Sequence, residues 1–457
     1  MSPVRRALGV LVAAFLAASF APSAASRHVA HAASKPNVVV ILTDDQRWDE
    51  LDRMPVLQRE LIDRGTVFTR SFVANPLCCP SRSTILTGRY SHSTGVYTNG
   101  GAHGGFPAFD DASTLATWLQ AAGYRTGLVG KYLNHYTDAS YIPPGWDEWH
   151  AFLGNPEYLG YTLSNDGART SYGSTAEDYS TDVLAQLATR FVSSTPAGQP
   201  LFLFFTPYAP HVPARPAPRD AQAFPDFVGI RPPNLNEADV SDKPAWVRAL
   251  PLSTETWDEL RLRQYRALLS VDDAIGSIVA ALDAAGRTGH TLFVYASDNG
   301  LSSMSHRWAG KQVPWEESIR VPLIVRYDPL AQAPKDGHLV LNVDYAPTIG
   351  ALAGVRTPGA EGRSLVPLLK GKAVPWRGTI LVEHFGRSVS VPSFCAVRTK
   401  THMYARWQGG EEELYDLVAD PYELQSLASD PTYARLKEKL HSRLARLCSP
   451  PPPGYTP

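Results

Sequence analysis

Apolar positions along this chain follow two periods. Five short runs are apolar almost without interruption and rich in β-branched or aromatic residues: 37–42, 126–129, 201–206, 291–296 and 321–326. Runs of that length and composition predict strands buried on both faces. Between them the period lengthens to that of a helix. Residues 114–122 form one such stretch. Residues 259–285 form the longest, with Leu268, Val271, Ile275, Ile278 and Leu282 on one face and Gly286 as the stop. Alternating strands and helices predict an α/β fold, with a large, mixed, mostly parallel sheet sandwiched by helices.

The pattern changes along the second half. Residues 207–251 are Pro-rich and without a period, which predicts a long surface excursion that walls a pocket. Beyond about residue 375, the segments 379–383, 394–398 and 402–407 predict short strands of a hairpin-rich antiparallel sheet, and 432–447 an amphipathic helix rich in Lys and Arg. The expected organisation is a main domain over 33–375, a smaller sheet-and-helix subdomain over 376–448, and a disordered Pro-rich tail over 449–457.

The first 32 residues stand apart. Arg5 and Arg6 precede an apolar stretch, 7–20, that is too short to span a bilayer, and Ala30-His31-Ala32 offers a small-residue cleavage site, as do alanines near Ala24. Residues 1–32 therefore read as a signal peptide, and the rest as a secreted or otherwise exported chain with no stable membrane association. Cleavage removes Arg5, Arg6 and Arg27 and no acid, which moves the formal net charge from −1 to −4. No basic run remains to track a polyanion, so nucleic acid is not an expected partner. The cysteines are Cys78, Cys79, Cys395 and Cys448, too few for a disulfide scaffold. Cys395 and Cys448 both lie in the C-terminal region and can pair in an oxidising compartment, although two separate buried thiols fit the sequence equally. The pairing is the expectation adopted.

Candidate chemistry clusters after the predicted strands. Asp44-Asp45 follow the first, and Asp298-Asn299-Gly300 follow the fourth. In open α/β sheets ligands sit beyond the carboxyl ends of the strands, which brings both groups to one site. Three carboxylates and an amide oxygen form a hard donor set that suits Ca²⁺, with Mg²⁺ or Mn²⁺ as weaker fits, rather than zinc. Lys131 follows the second strand, and His211, set between prolines, follows the third. An imidazole titrates near working pH and suits proton transfer.

The most specific motif is Cys78-Cys79-Pro80-Ser81-Arg82 followed by Leu86-Thr87-Gly88, the pattern C-x-P-S-R-x-x-x-L-T-G. On it the chain resembles the type I sulfatases. Pro210-His211-Val212-Pro213, Gly310-Lys311, the run from Trp315 to Pro322, and Glu413-Leu414-Tyr415-Asp416-Leu417 extend the likeness, which covers residues 36 to about 427. The resemblance implies an alkaline-phosphatase-like sheet. It implies that Cys78, and not Cys79, is oxidised to formylglycine by a formylglycine-generating enzyme, because Cys78 has the proline and arginine in register. It further implies a divalent ion, usually calcium, on Asp44, Asp45, Asp298 and Asn299 with the modified Cys78 as a further ligand. Arg82, Lys131, His211 and Lys311 would surround the sulfate, and His306, in Ser305-His306-Arg307, would sit in the pocket.

One position departs from the pattern. Leu133 stands where many members carry a histidine that releases sulfate. The run Gly130-Lys131-Tyr132-Leu133-Asn134, with Tyr141 to Trp146 and Glu148-Trp149, is similar instead to the N-acetylglucosamine-6-sulfatase branch, which includes the extracellular heparan endosulfatases. His135 is the candidate base from a shifted position. The implied activity is hydrolysis of sulfate esters of carbohydrates or small aryl compounds, with a 6-O-sulfated amino sugar as the expected substrate type. A phosphoester or phosphonate hydrolase using the same site is the second reading, and an inactive binding module the third. Specificity is expected from the loops 99–107 and 207–251.

Overall fold

The centre of the fold is a ten-stranded sheet. In spatial order its strands are Lys335–Asp336, Thr66–Phe68, Leu323–Arg326, Thr291–Ser297, Asn37–Thr43, Leu201–Thr206, Arg125–Gly130, Glu148–Phe152, Thr162–Asn165 and Ala168–Ser171. The computed structural model describes residues 35–253, 257–330, 333–386 and 391–457. The signal peptide expected at residues 1–32 lies outside them.

The five strands from Thr291–Ser297 to Glu148–Phe152 run parallel. Period-two geometry explains why Asn37–Thr43 needs no polar positions. Val38, Val40 and Leu42 pack on one side with Ile85, Leu86, Leu115, Leu119 and Ile349. Val39 and Ile41 pack on the other with Leu184, Leu187, Leu268, Val271, Ile275 and Ile278. The long helix is Asp258–Ala284, within a residue of its expected bounds, and Leu115–Ala121 is capped by Thr114. Helix Ser180–Ser194 was not foreseen, although it buries Val183, Leu184, Leu187 and Phe191 at helical spacing. The run expected at 321–326 narrows to Leu323–Arg326 and lies antiparallel to its neighbour.

The smaller sheet has four antiparallel strands, Thr379–His384, Phe394–Thr399, His402–Trp407 and Glu412–Asp416, backed by helix Ala434–Leu447. One face joins the main body: Ile380, Val382, Phe394 and Trp407 share a cluster with Phe72, Trp315, Ile319 and Val343. The change of pattern near residue 375 thus marks a second sheet, and residues 35–457 form one compact unit through a shared core. The outer face packs Leu381, Val397 and Tyr404 under Leu440 and Leu444. Cys395 and Cys448 are disulfide-bonded there, with Cα atoms 6.4 Å apart. The tail expected to be disordered is docked instead. Tyr455 is 4% exposed, fills the same cluster and donates a hydrogen bond to the Arg406 carbonyl at 2.9 Å. No helix among the described residues is long and apolar enough to cross a membrane.

Candidate active site

Neighbouring strands deliver the charged groups. Asp44 and Asp45 leave the carboxyl end of Asn37–Thr43, Lys131 that of Arg125–Gly130, and Asp298 and Asn299 that of Thr291–Ser297. His211 lies just beyond Leu201–Thr206. Asp45 takes a left-handed φ of 67°, a conformation Asp tolerates better than most residues. The turn sends the two adjacent carboxylates to different partners: Asp44 pairs with Lys131, and Asp45 with Lys311.

Cys78 enters from another element. It is the first residue of helix Cys78–Thr87, every residue of which is buried, and Gly88 closes the helix at φ 69°. The Lys311 ammonium lies 3.0 Å from its sulfur, and Asp44 Oδ1 lies 3.6 Å away. One helical turn on, Arg82 donates to Asp298 Oδ2 at 2.8 Å and to the Lys131 carbonyl at 2.7 Å, and it approaches Asp44 Oδ2 at 3.6 Å. His211 Nε2 is 3.5 Å from Asp45 Oδ2, and its ring stacks on Tyr208 at 4.7 Å.

The group is largely buried and densely charged. Three carboxylates, Asp44, Asp45 and Asp298, face three permanent cations, Arg82, Lys131 and Lys311, and Asp44, Asp298 and Arg82 are fully buried. Burial raises the pKa of Asp44, yet Lys131, His211 and Arg82 hold it down at about 2. Burial also opposes charge on His211, but Asp45 and Asp44 outweigh it and raise its pKa to about 9. Burial likewise works against Lys311, and Asp45 and its neighbours hold the ammonium well above the ordinary range.

Oxygen atoms remain for a cation. Ligand atoms of Asp44, Asp45, Cys78 and His211 all lie within 4.8 Å of one another. Asn299 donates its amide nitrogen to Asp45 Oδ1 at 2.6 Å, and its buried side-chain Oδ1 has no partner among the described residues. Asp298 is more committed, with one oxygen on Arg82 and the other accepting from the Asp45 backbone N–H at 3.2 Å. A hard divalent ion fits this donor set.

The sulfatase family profile matches residues 36–355, and the profile of the N-sulphoglucosamine sulphohydrolase C-terminal region matches residues 304–449. The chain belongs to the sulfatase family. It is 32% identical to the N-acetylglucosamine-6-sulfatase of Homo sapiens over 93% of this chain and 86% of that protein. It is 34% identical to the Drosophila melanogaster extracellular sulfatase SULF-1 homolog over 81% of this chain, but spans only 35% of that protein's length. It also spans 59% of the length of the Volvox carteri arylsulfatase, at 36% identity. Among solved structures, a protein in complex with its substrate D-glucosamine-2-N,6-O-disulfate superposes with a TM-score of 0.81 at 25% identity, covering 91% of this chain and 98% of that one. The phosphonate monoester hydrolase of Agrobacterium radiobacter shares the fold with a TM-score of 0.74 at 23% identity, over 91% of this chain and 96% of its own.

The remaining expected residues of this sulfatase lie in varied places. His135, with φ 64°, stands in the wall of an open cavity of about 510 Å³ that Lys311 also lines. Among the described residues no hydrogen bond joins it to the charged group. His306 does not line that cavity. Its ring is fully buried, its Nδ1 lies 2.6 Å from Glu237 Oε2, and it packs on Trp315 at 4.5 Å. Burial pushes its pKa down to about 3. An enclosed ring in that setting braces the protein and has no surface left for a substrate. Cys79 is also enclosed: its sulfur accepts from the Asn134 backbone N–H at 3.0 Å, and burial pushes its thiol up to about 12.

The two loops expected to give specificity divide. Asn99 lines the cavity beside Lys311, whereas Ile230 to Pro233 of the Pro-rich excursion line a separate cavity of about 360 Å³ with Arg47 and Trp48. Sequence reasoning missed Gln312, His384 and Phe385, which complete the first cavity. Gln312 adjoins the expected Lys311 and was legible by proximity. His384 ends a buried strand, and no local signal marks it.

Proposed function

We propose that this protein hydrolyses sulfate esters: the sulfuryl group would pass to one hydroxyl of hydrated, oxidised Cys78, sulfate would leave as the second hydroxyl loses its proton and the aldehyde re-forms, and water would rehydrate the aldehyde, so that overall R–O–SO₃⁻ and H₂O yield R–OH and HSO₄⁻. The observation that carries the reading is the position of Cys78 at the start of a buried helix, 3.0 Å from the Lys311 ammonium and beside Asp44, with its neighbours Leu77 and Lys311 lining an open cavity. Converted to formylglycine by a formylglycine-generating enzyme, Cys78 would supply a hydrated aldehyde whose hydroxyl attacks sulfur. Asp44, Asp45, Asp298 and Asn299 would hold a divalent ion, most suitably Ca²⁺, which would polarise a sulfate oxygen when bound.

The chain's own residues have separable tasks. Arg82, Lys131 and Lys311 oppose the charge on the nonbridging oxygens, and in a water-poor site such fixed charges need no reorganisation as the reaction proceeds. Arg82 also fixes Asp298, and Lys131 fixes Asp44. His211 is placed beside Asp45 at the rim, where it can donate a proton to the departing alcohol oxygen. His135, in the cavity wall, is the candidate base for sulfate release. The relatives that share most of their length with this chain, together with the solved complex, support a 6-O-sulfated amino sugar as the substrate. Export after loss of residues 1–32 fits the extracellular relatives.

The test runs chromogenic aryl sulfate and aryl phosphate in parallel with glucosamine 6-sulfate, using protein whose Cys78 peptide has been weighed by mass spectrometry and whose metal content has been assayed. Sulfate turnover with an aldehyde mass at Cys78 and an alkaline-earth ion supports the reading. An intact thiol or stoichiometric zinc in fully active protein overturns the mechanism, and phosphate-ester turnover without sulfatase activity overturns the substrate class.

A further inference from the structure

Glutamates are rarely buried without a partner, yet two meet inside this protein away from Cys78. Glu317 is 4% exposed and Glu423 1%, and ligand atoms of these two and of His306 all lie within 4.8 Å of one another. The three come from separate segments. His306 lies in the loop after strand Thr291–Ser297, Glu317 in the short helix Glu316–Ile319, and Glu423 in the loop after strand Glu412–Asp416. Among the described residues neither carboxylate forms an ion pair, whereas the adjacent Glu316 pairs with Arg398 at 2.9 Å.

Each carboxylate also keeps one orphaned oxygen. Glu317 Oε1 accepts from the Asn234 amide at 2.8 Å, and Glu423 Oε2 from the Glu316 backbone N–H at 3.0 Å, but Glu317 Oε2 and Glu423 Oε1 have no donor among the described residues. A third oxygen is in the same state. Asn234 is fully buried, its amide nitrogen sits between Glu317 Oε1 and His306 Nε2, 3.4 Å from the latter, and its Oδ1 has no partner among the described residues. Burying two facing carboxylates beside three orphaned oxygens is strongly unfavourable. A water molecule would supply donors and leave both charges. A cation satisfies the oxygens and cancels the charge together. We infer that His306, Glu317, Glu423 and Asn234 form a structural site for a divalent cation, separate from the one at Asp44, Asp45, Asp298 and Asn299.

The histidine is prepared for this role. Its Nδ1 faces Glu237 Oε2 at 2.6 Å, which puts the proton on Nδ1 and leaves Nε2 its lone pair. A carboxylate behind the imidazole in this way is the usual support of a metal-bound histidine. Oxygen donors with one neutral imidazole suit Mn²⁺, since Ca²⁺ takes oxygen alone and zinc favours more nitrogen or sulfur. Glu317 also borders the cavity of about 360 Å³ beside Arg47 and Trp48, so the cluster lies one side chain in from solvent. Lys311 lies between His306 and Glu317 in the chain, and an ion bound to both would clamp the loop that carries the Lys311 ammonium to Cys78.

The test strips the protein with a chelator and titrates it with Mn²⁺ alone, counting bound ions by electron paramagnetic resonance. Glu317→Gln and Glu423→Gln keep the side-chain shape and should each bind about one Mn²⁺ fewer per chain than wild type. Glu237→Gln reaches the ion only through His306 and should keep it with an affinity lower by about 10–100-fold. The count is a difference, so it holds whether or not an ion binds at Asp44 and Asp298. Without metal, Glu317→Gln removes one of two facing charges and should melt no lower than wild type. Equal Mn²⁺ numbers in wild type and both glutamine variants would overturn the site, the two carboxylates then sharing a proton. A metal-free Glu317→Gln protein that melts far below wild type would overturn the unfavourable burial on which the inference rests.

Discussion

The two sides of the catalytic cleft are built on opposite principles. The floor, made by the ends of parallel strands, is saturated with charge: each of Asp44, Asp45 and Asp298 already has a lysine or arginine partner. The wall contributed by the antiparallel sheet is neutral, with the buried His384 ring lacking hydrogen-bond partners among the described residues and Phe385 showing a half-buried apolar ring. A charged floor attracts any small tetrahedral anion with little regard for what is attached to it. A neutral wall has no pull on the anion, but its shape can distinguish one attached group from another.

The sharpest break in that comparison is Cys78→Ala, which should abolish turnover of sugar and aryl sulfates alike, whereas Cys79→Ala should retain much of it. A rate assay on both esters decides. Next, Asp298→Asn should remove activity on both substrates and take from the buried Arg82 guanidinium its closest charge partner, leaving Asp44 at 3.6 Å, a loss of up to about 3–5 kcal/mol for a broken buried pair. Denaturant unfolding measures it. His211→Ala should separate the substrates on the floor side: a sugar oxygen needs a proton donor, worth typically 10²–10⁴-fold, and an activated aryl oxygen needs it much less. Equal losses on the two esters would remove His211 as the acid.

Two smaller effects probe the wall. Replacing Cys395 and Cys448 by serine should cost about 2–4 kcal/mol of stability. Denaturant unfolding of the double variant measures it. The smallest effect is pH-dependent. Burial disfavours charge on His92, but its hydrogen bond to Glu383 raises its pKa above the ordinary 6.5. The tie therefore contributes fully below pH 6.5 and fades as pH rises through the folded value. His92→Gln should lower stability at pH 5.5 and have little effect at pH 9, as read from unfolding curves at the two pH values.

The floor was legible in the sequence for a physical reason. Buried parallel strands are continuous apolar runs, and the residues that follow them must lie at the carboxyl edge, so Asp44, Asp45, Lys131, His211, Asp298 and Asn299 announce their position by what precedes them. Cys78 and Arg82 are one helical turn apart and stay together once the helix forms. The wall had no such marker. His384 meets Lys311 and Asn99 only because two sheets share a core through Phe72, Trp315 and Ile380, a long-range packing outcome that no local period encodes. His306 misled for the converse reason: its proximity to Asp298 in sequence suggests the cleft, yet the chain turns and buries the ring against Glu237. Strand Glu148–Phe152 and its antiparallel extension were too short and too mixed in polarity to stand out.

The burial of Cys78 imposes an order of events on the life of the molecule. Its side chain is 1% exposed and heads a helix whose ten residues are all inside. A second protein large enough to oxidise it has no access once the sheet has closed over that helix. The proposed oxidation must therefore occur while the segment is still an open chain, in competition with folding itself. A molecule that folds first would be stable, indistinguishable in shape and permanently silent. The fraction of active protein in any preparation would then record a race between a maturation enzyme and the closure of the core, set by the rates of the two processes and beyond repair by later treatment of the folded protein.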